Sequence, residues 1–236
     1  MPHQRAPVLL LTRPEADARR FESRVRALAP GPWRTVIAPL LEIVPLAGPE
    51  VPGATPIFTS AHAVPFAGPG GGRSAWCVGP RTAAAARMAG WVPRTGDGDA
   101  DGLQSAILAA PPEPVIHLRG LHSRGALADR LRGAGRPAEE RVVYDQRARP
   151  LATEARAALG AGSSSGRDAG QVGVVAPVFS PRSALLLAEA VGNPRAPFRV
   201  IAVSAAAAEP LRRWSPIVAA RPDGEAMAEA TAALLR

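Results

Sequence analysis

Lysine is absent from this sequence of 236 residues, and cysteine and tyrosine each occur only once. The one cysteine, Cys77, cannot form an internal disulfide, which is typical of a protein from a reducing compartment. No apolar run approaches the ~20 residues of a membrane-spanning helix. The run at 8–11 is also shorter than the roughly 7–15 apolar residues of a signal peptide. We therefore expect a cytoplasmic protein without a membrane segment.

The positive charge is carried by arginine alone, since 28 arginines and 20 acidic residues give a formal net charge of +8. The planar arginine fork binds both carboxylate and phosphate, so this excess permits either nucleic acid or a polyanionic small molecule. Aromatic residues make up only 4% of the chain, zinc-ligand spacing is missing and the arginines are scattered. These features disfavour nucleic-acid binding. We expect a small-molecule ligand.

Motifs for common cofactors are also missing. The glycine-rich segment at 68–73 lacks the Gly-Lys-Ser/Thr ending of a phosphate-binding loop, and no G-x-G-x-x-G follows the first apolar run. The segment DGDADG at 97–102 imitates a calcium loop, but its twelfth position is Leu108 instead of glutamate. We predict instead a helix start capped by Asp101, with Gln104 three residues later. The histidines have no metal-ligand spacing, so we expect neither a cofactor nor a metal.

Short apolar runs alternate with segments of helical periodicity along the whole chain. The predicted strands are 8–11, 56–59, 75–78, 115–118, 172–179, 200–203 and 217–219. The predicted helices are 14–28, 80–90, 122–135, 181–192, 205–214 and 223–235, with a short segment from Ala61. Strands that alternate with helices indicate parallel sheets covered on both faces. The predicted fold class is α/β.

The alternation repeats once within the chain. IFTSAHAV at 57 is echoed by VFSPRSAL at 178, and WCVGPRTAAAARMAGW at 76 is echoed by VIAVSAAAAEPLRRW at 200. We predict two similar parallel-sheet domains that face each other across a cleft and are connected by two strands, at 38–46 and 141–150. One domain comprises residues 1–39 with 149–236, and 40–148 form an inserted domain that includes both linker strands. A flexible surface loop is expected at 160–171.

IFTSAHAV places Ser60 and His62 close together, which suggests a Ser–His hydrolase. The sharp G-x-S-x-G turn that exposes such a nucleophile is missing, however. We predict that Ser60 caps the following helix, and that Ser180 does the same in the second half. Capped helix starts at the carboxyl ends of parallel strands can hold anions. The sequence therefore favours a ligand with several carboxylates, and we expect no role for His62.

Seven segments, in this order, resemble the uroporphyrinogen-III synthase family: LLTRPEADARRF, APLLEIVPL, IFTSAHAV, VGPRTAAAARMAGW, HLRG, VVYDQ and VFSPRSA. The resemblance implies two flavodoxin-like domains joined by a two-stranded β linker. It also implies a cofactor-free monomer that makes transient contact with hydroxymethylbilane synthase. The implied reaction cyclises hydroxymethylbilane, a linear tetrapyrrole rich in carboxylates, to uroporphyrinogen III, with loss of water and inversion of ring D.

The resemblance also implies site residues. Those carried over as substrate-binding are Thr12, Arg13, Ser60, Gly79, Thr82, Ser180, Ser183 and Ser204. Tyr144 lies where the family keeps a tyrosine proposed to assist departure of the hydroxyl, although it could instead be a packing residue of the linker strand. Arg13 could instead form a structural ion pair, and we expect Arg119 to support the inserted domain.

Two departures from the family pattern leave an alternative open. VSAAAA at 203–208 has Ala207 where the family usually has threonine, a loss for which Ser204 could partly compensate. The segment after Ser60 is shortened by Pro65 and a glycine loop. The alternative is a catalytically impaired family member that binds tetrapyrroles or regulates.

Overall fold

A computed structural model describes residues 6–46, 53–122, 126–160 and 173–236 of the chain. It divides the chain into two compact units, Met1–Glu42 with Ala148–Arg236 (unit 1) and Ile43–Arg147 (unit 2). The sequence-based boundaries lie at 39/40 and 148/149. Most of the loop expected at 160–171 lies outside the described residues.

The strands of unit 1 are β1 (Val8–Leu11), β2 (Arg34–Ile37), β9 (Val174–Val178), β10 (Phe198–Ala202) and β11 (Ile217–Val218). Its helices are α1 (Glu15–Leu28), α5 (Thr153–Gly160), α6 (Pro181–Val191), α7 (Ala205–Ala208) and α8 (Gly224–Ala233). The sheet order is β11-β10-β9-β1-β2 and every pairing is parallel. Counted within the unit this is the flavodoxin-like order 2-1-3-4-5, which reverses between β1 and β9.

Unit 1 is built around β1, whose four residues are all buried. Leu10 packs into the core cluster on one face of the sheet, where α5 and α6 contribute side chains. Leu9 and Leu11 pack into the cluster on the other face, with side chains of α1 and α8. A strand buried on both faces is apolar throughout, which explains the uninterrupted run Val8–Leu11.

Unit 2 has the sheet order β3-β8-β7-β4-β5-β6. Its strands are β3 (Leu41–Pro45), β4 (Thr55–Phe58), β5 (Ser74–Cys77), β6 (Val92–Thr95), β7 (Val115–Gly120) and β8 (Ala138–Ala148). Its helices are α2 (Pro80–Met88), α3 (Ala100–Ala109) and α4 (Leu127–Gly133). The parallel strands β4 to β8 follow the order 3-2-1-4-5, which reverses between β4 and β7.

The two strands predicted as linkers, β3 and β8, are neighbours in the sheet. The N–H of Leu46 donates to the carbonyl of Val143 at 3.1 Å, and the N–H of Arg149 donates to the carbonyl of Leu40 at 2.9 Å. Residue numbers rise on one strand as they fall on the other, so β3 and β8 run antiparallel.

The predicted α/β class with two similar parallel-sheet domains is confirmed, but several local predictions are wrong. The N-cap of α3 is Asp99, whose carboxylate accepts from the N–H groups of Asp101 and Gly102, so the cap lies two residues earlier than expected. The helix expected at 205–214 is four α-helical residues followed by a 3₁₀ helix, Glu209–Trp214, because Pro210 lacks the N–H that would continue the ladder. The described helices include none long and apolar enough to cross a membrane.

Candidate active site

The predicted polar residues lie at the carboxyl ends of the parallel strands in both units. Ligands of open α/β sheets bind where the strand order reverses, beyond the carboxyl ends of the two strands at that point. In unit 1 these strands are β1 and β9, followed by Thr12 and Phe179. In unit 2 they are β4 and β7, followed by Thr59 and Leu121. We call these places the β1–β9 site and the β4–β7 site.

At the β1–β9 site, Thr12 is buried and Arg13 is partly buried. The Arg13 guanidinium stacks on the ring of Phe179, with its carbon 3.8 Å from the ring centroid. Arg13 also pairs with Asp17 of α1 at 3.7 Å. The ion pair expected as the structural alternative for Arg13 is therefore present. The stack on Phe179 was not anticipated, because the two residues are far apart in sequence.

Ser180 and Ser183 form one capping unit at the start of α6. Ser180 is the N-cap, and its Oγ accepts from the N–H of Ser183 at 3.1 Å, as predicted. The Ser180 hydroxyl also donates to the Ser183 hydroxyl at 2.9 Å. Both side chains are partly exposed at the β1–β9 site, so two hydroxyls and the start of an eleven-residue helix lie beside Arg13.

At the β4–β7 site, Ser60 caps the helix that follows it. Its Oγ accepts from the backbone N–H of His62 at 3.3 Å, which confirms the predicted cap. The helix, Ala61–Ala67, is 3₁₀ and contains Pro65, so it offers little of the dipole that was expected to hold an anion. The Ser60 hydroxyl instead forms a hydrogen bond with Tyr144 of β8.

Tyr144 is buried and enclosed by unit 2. Its ring stacks with Phe66 at 5.9 Å between centroids and meets His62 edge-on at 6.3 Å. Burial raises the pKa of the Tyr144 phenol, an effect that the hydrogen bond from Ser60 only partly offsets. The hydroxyl therefore stays protonated near neutral pH and can donate a hydrogen bond. The contacts with His62 and Phe66 were missed, because only the fold brings these rings together.

Gly120 provides the space that the tyrosine ring occupies. A Cβ at this position would lie 2.6 Å from Cε2 and Cζ of Tyr144 and 2.9 Å from its hydroxyl. Gly120 pairs with Tyr144 across a register shift between Arg119 and Gly120. The glycine that ends the HLRG segment is the sequence signal for this close approach, although its partner could not be inferred from it.

The remaining predicted residues lie one strand further along each sheet. Gly79 caps α2 after β5, and Thr82 is buried in the first turn of that helix. Ser204 caps α7 after β10, and its hydroxyl accepts from the N–H of Ala207 at 3.3 Å. The hydroxyl of Thr82 is at the third position of α2, whereas Ala207 is at the third position of α7 and the hydroxyl of unit 1 is that of the cap residue Ser204. That Ser204 partly compensates for Ala207 stays a prediction.

Arg119 and His117 extend from β7 toward Glu140 of β8. The Arg119 Nη2 donates to the Glu140 carboxylate at 2.6 Å, and Nη1 donates to the carbonyl of Gly120 at 3.0 Å. Arg119 thus ties β7 to β8, the supporting role expected for it. The buried His117 shares a hydrogen bond of 2.9 Å between its Nε2 and Oγ1 of Thr59.

Burial of His117 makes the stability of the fold depend on pH. Burial lowers its pKa from 6.5 to about 4, against the smaller opposing effect of Glu140. Between these values the unfolded chain binds a proton that the folded chain does not. The free energy of unfolding should therefore fall as the pH falls, by about 3 kcal/mol from pH 6.5 to pH 4. Urea denaturation of wild type and His117→Gln across this range measures the difference in slope, and equal slopes would contradict it.

Cys77 is not a candidate nucleophile. It is fully buried in β5, and burial raises the pKa of its thiol to about 11, despite the opposing charge of Arg87. The thiolate, which is the reactive form, is therefore scarce at neutral pH.

These features define a class: a protein of two doubly wound α/β units with arginine, hydroxyl and phenol groups at the two points where strand order reverses. The sequence pattern of the family described as uroporphyrinogen-III synthase HemD matches residues 25–229. The chain belongs to the uroporphyrinogen-III synthase family. No individual curated protein matches it.

Two solved structures are similar to this chain over nearly its whole length. The uroporphyrinogen-III synthetase from Helicobacter pylori is 16% identical and superposes with a TM-score of 0.59, over 97% of this chain and 99% of that chain. A mutant uroporphyrinogen III synthase from Thermus thermophilus is 17% identical, with a TM-score of 0.48 over 98% of this chain and 99% of that one. At this identity, the first of these likenesses supports the fold alone.

Proposed function

We propose that this protein is a cyclising lyase that converts hydroxymethylbilane to uroporphyrinogen III, with loss of water and inversion of ring D. The observation that carries the proposal is that Arg13, Ser180, Ser60 and Tyr144 lie at the reversal points of two sheets. The family to which the chain belongs supports the substrate class. Arg13 and the start of α6 at the β1–β9 site suit a ligand that carries carboxylates on every ring.

The role that we propose for each residue is based on its position in the fold. Arg13, Ser180 and Ser183 bind substrate carboxylates at the β1–β9 site, while Phe179 and Asp17 hold the Arg13 side chain in place. Thr12 and Ser204 extend the binding surface of unit 1, and Gly79 and Thr82 extend that of unit 2. Tyr144, oriented by Ser60, donates a hydrogen bond to the hydroxyl that leaves. Fixing the flexible tetrapyrrole in one geometry supplies much of the rate enhancement.

The proposal is tested by the isomer that forms. Freshly generated hydroxymethylbilane is incubated with the protein, and the products are oxidised and separated into type I and type III isomers. We expect type III, whereas type I alone, the product of spontaneous closure, would refute the proposal. Tetrapyrrole binding without type III formation would instead identify the catalytically impaired alternative.

The substitution Gly79→Ala distinguishes a role of Gly79 in substrate binding from a role in folding. Its φ of −173° is extended backbone that any residue adopts, and an added Cβ would lie 3.6 Å from the carbonyl oxygen of Gly98, an ordinary contact. Gly79→Ala should therefore cost only about 1 kcal/mol of stability, because alanine is a poorer N-cap than glycine, while the new methyl group hinders substrate and raises KM several-fold. Thermal unfolding and steady-state kinetics check both parts. An unchanged KM would show that substrate does not approach Gly79.

A further inference from the structure

A histidine and an aspartate form a pair at the β4–β7 site that the proposed roles leave unused. His122 lies two residues beyond the end of β7, and its Nε2 is 3.1 Å from Oδ1 of Asp145. Asp145 is largely buried, with 17% of its side chain exposed, and its other oxygen is 3.5 Å from Nε of Arg147. The carboxylate thus lies between two groups that carry, or can carry, positive charge.

The pair is held next to Tyr144 by the backbone. The N–H of Leu121, the residue before His122, donates to the carbonyl of Tyr144 at 2.9 Å. Tyr144 and Asp145 are consecutive in β8, so their side chains leave the strand on opposite faces. The phenol covers Gly120 and the carboxylate faces His122. Both residues therefore lie beside the carboxyl end of β7, the edge of the sheet at which a ligand is expected.

Oδ1 of Asp145 is buried and accepts no hydrogen bond from the described residues, although the His122 ring is close to it. Nε2 of His122 and Oδ1 of Asp145 are therefore close together, but their geometry is not that of a hydrogen bond. A buried carboxylate oxygen left in this state is costly and needs a functional explanation. Holding the His122 ring so that it can turn toward a substrate is such an explanation. His122 itself is 37% exposed at its side chain, so a ligand can reach it.

We propose that His122 is the general acid that protonates the leaving hydroxyl, and that Asp145 is its positioning residue. This inference rests on the proposed function. The proton moves from Nδ1, the nitrogen that Asp145 does not contact, to the hydroxyl oxygen of hydroxymethylbilane. The bond between that oxygen and the methylene carbon then breaks, and water leaves with the bonding pair. The adjacent pyrrole stabilises the cationic methylene carbon.

His122 regains a proton at the end of the reaction. The methylene carbon bonds to the substituted α carbon of ring D, the bond from that carbon to its bridging methylene then breaks, and reclosure at the free α carbon inverts the ring. This last bond leaves one surplus ring proton, which the neutral His122 imidazole takes up. The net change is loss of one water. Histidine suits this exchange, because it is the ordinary side chain that gains and loses a proton between pH 5 and 8. Tyr144, whose phenol pKa is raised by burial, can orient the hydroxyl but is a poor proton source at neutral pH.

The experiment compares wild type with His122→Asn and Asp145→Asn in the hydroxymethylbilane assay. We expect kcat for type III formation to fall about 100-fold in His122→Asn, with KM within about twofold of wild type. In wild type kcat should fall as the pH rises and the proton donor is lost, and this dependence should be absent in His122→Asn. Asp145→Asn should shift the dependence and lower kcat about tenfold, since the charge facing the ring is removed.

Chemical rescue distinguishes a proton donor from a structural residue. Imidazole added to His122→Ala should restore part of kcat and should leave wild type unchanged. Wild-type kcat and pH dependence in folded His122→Asn, or lack of rescue in folded His122→Ala, would overturn the role of His122. If either variant fails to fold by circular dichroism, His122→Gln takes its place in the kinetic test. Wild type that forms no type III isomer would overturn the proposed function, and this inference with it.

Discussion

Replacing Gly120 with alanine is expected to lower the rate of type III formation about 100-fold. The new Cβ would lie 2.6 Å from two ring carbons of Tyr144, so the ring must move by roughly 1 Å to restore a normal contact. A displacement of this size can cost about 100-fold in rate when the displaced group contacts the reacting atoms. Overpacking should also cost about 1–3 kcal/mol of stability. Stopped-time isomer assays and urea denaturation measure the two effects separately.

The matched control is Gly133→Ala, at the end of α4. An added Cβ there has nothing within 4 Å, and Gly133 has no positive φ. Alanine in a helix is favoured over glycine by about 0.5–1 kcal/mol, so this variant should be as stable as wild type or slightly more stable, with unchanged activity. Near-normal activity in Gly120→Ala would show that the position of the Tyr144 ring is unimportant for the reaction.

Replacing Arg136 with methionine is expected to destabilise the protein by about 4 kcal/mol. Arg136 is only 6% exposed, and its guanidinium donates to the carbonyls of Ile107 at 2.7 Å, Ala110 at 2.8 Å and Pro111 at 3.0 Å. Ile107 is in the last turn of α3, and Ala110 and Pro111 directly follow the helix, where the last carbonyl acceptors have no backbone donors. Methionine fills similar volume but leaves one buried and two partly buried acceptors without the guanidinium. The buried one costs about 1–3 kcal/mol and the other two cost less.

Arg130→Met provides the comparison for Arg136. Arg130 in α4 pairs with Asp101 at 2.7 Å, but its side chain is 41% exposed and that of Asp101 is 82% exposed. Exposed ion pairs contribute about 0–1 kcal/mol, so Arg130→Met should unfold close to wild type in urea. If both variants lose the same stability, the buried carbonyl contacts of Arg136 are not the source of its effect.

The sequence predicted those helices and strands whose own residues form a recognisable pattern. The buried run of β1 and the Ser-Pro start of α6 gave correct elements because burial on both faces and a capped first turn each leave a short, distinct pattern. The strands β2 and β6 were missed. Both are four residues long, and Val36 is the one fully buried residue between them, so neither has a run of buried apolar residues.

The candidate site was only partly predictable, for the same physical reason. The resemblance identified Ser60 and Tyr144 singly, but their contact depends on the register between β7 and β8. The space under the tyrosine ring comes from Gly120, where a register shift follows Arg119. The contacts of Asp145 with His122 and of Phe179 with Arg13 likewise depend on strand order. The pattern of residues within one segment cannot predict such contacts, because the two partners come from different segments of the chain.

The most direct test of the central claim is the fraction of type III isomer as protein concentration is varied at a fixed amount of fresh hydroxymethylbilane. Spontaneous closure yields type I and competes with the protein for the same substrate. We expect the type III fraction to rise with protein concentration until type III is the main product. At equal protein concentration, Gly120→Ala should give a lower type III fraction and more type I than wild type. A product that stays type I at every protein concentration would contradict the account.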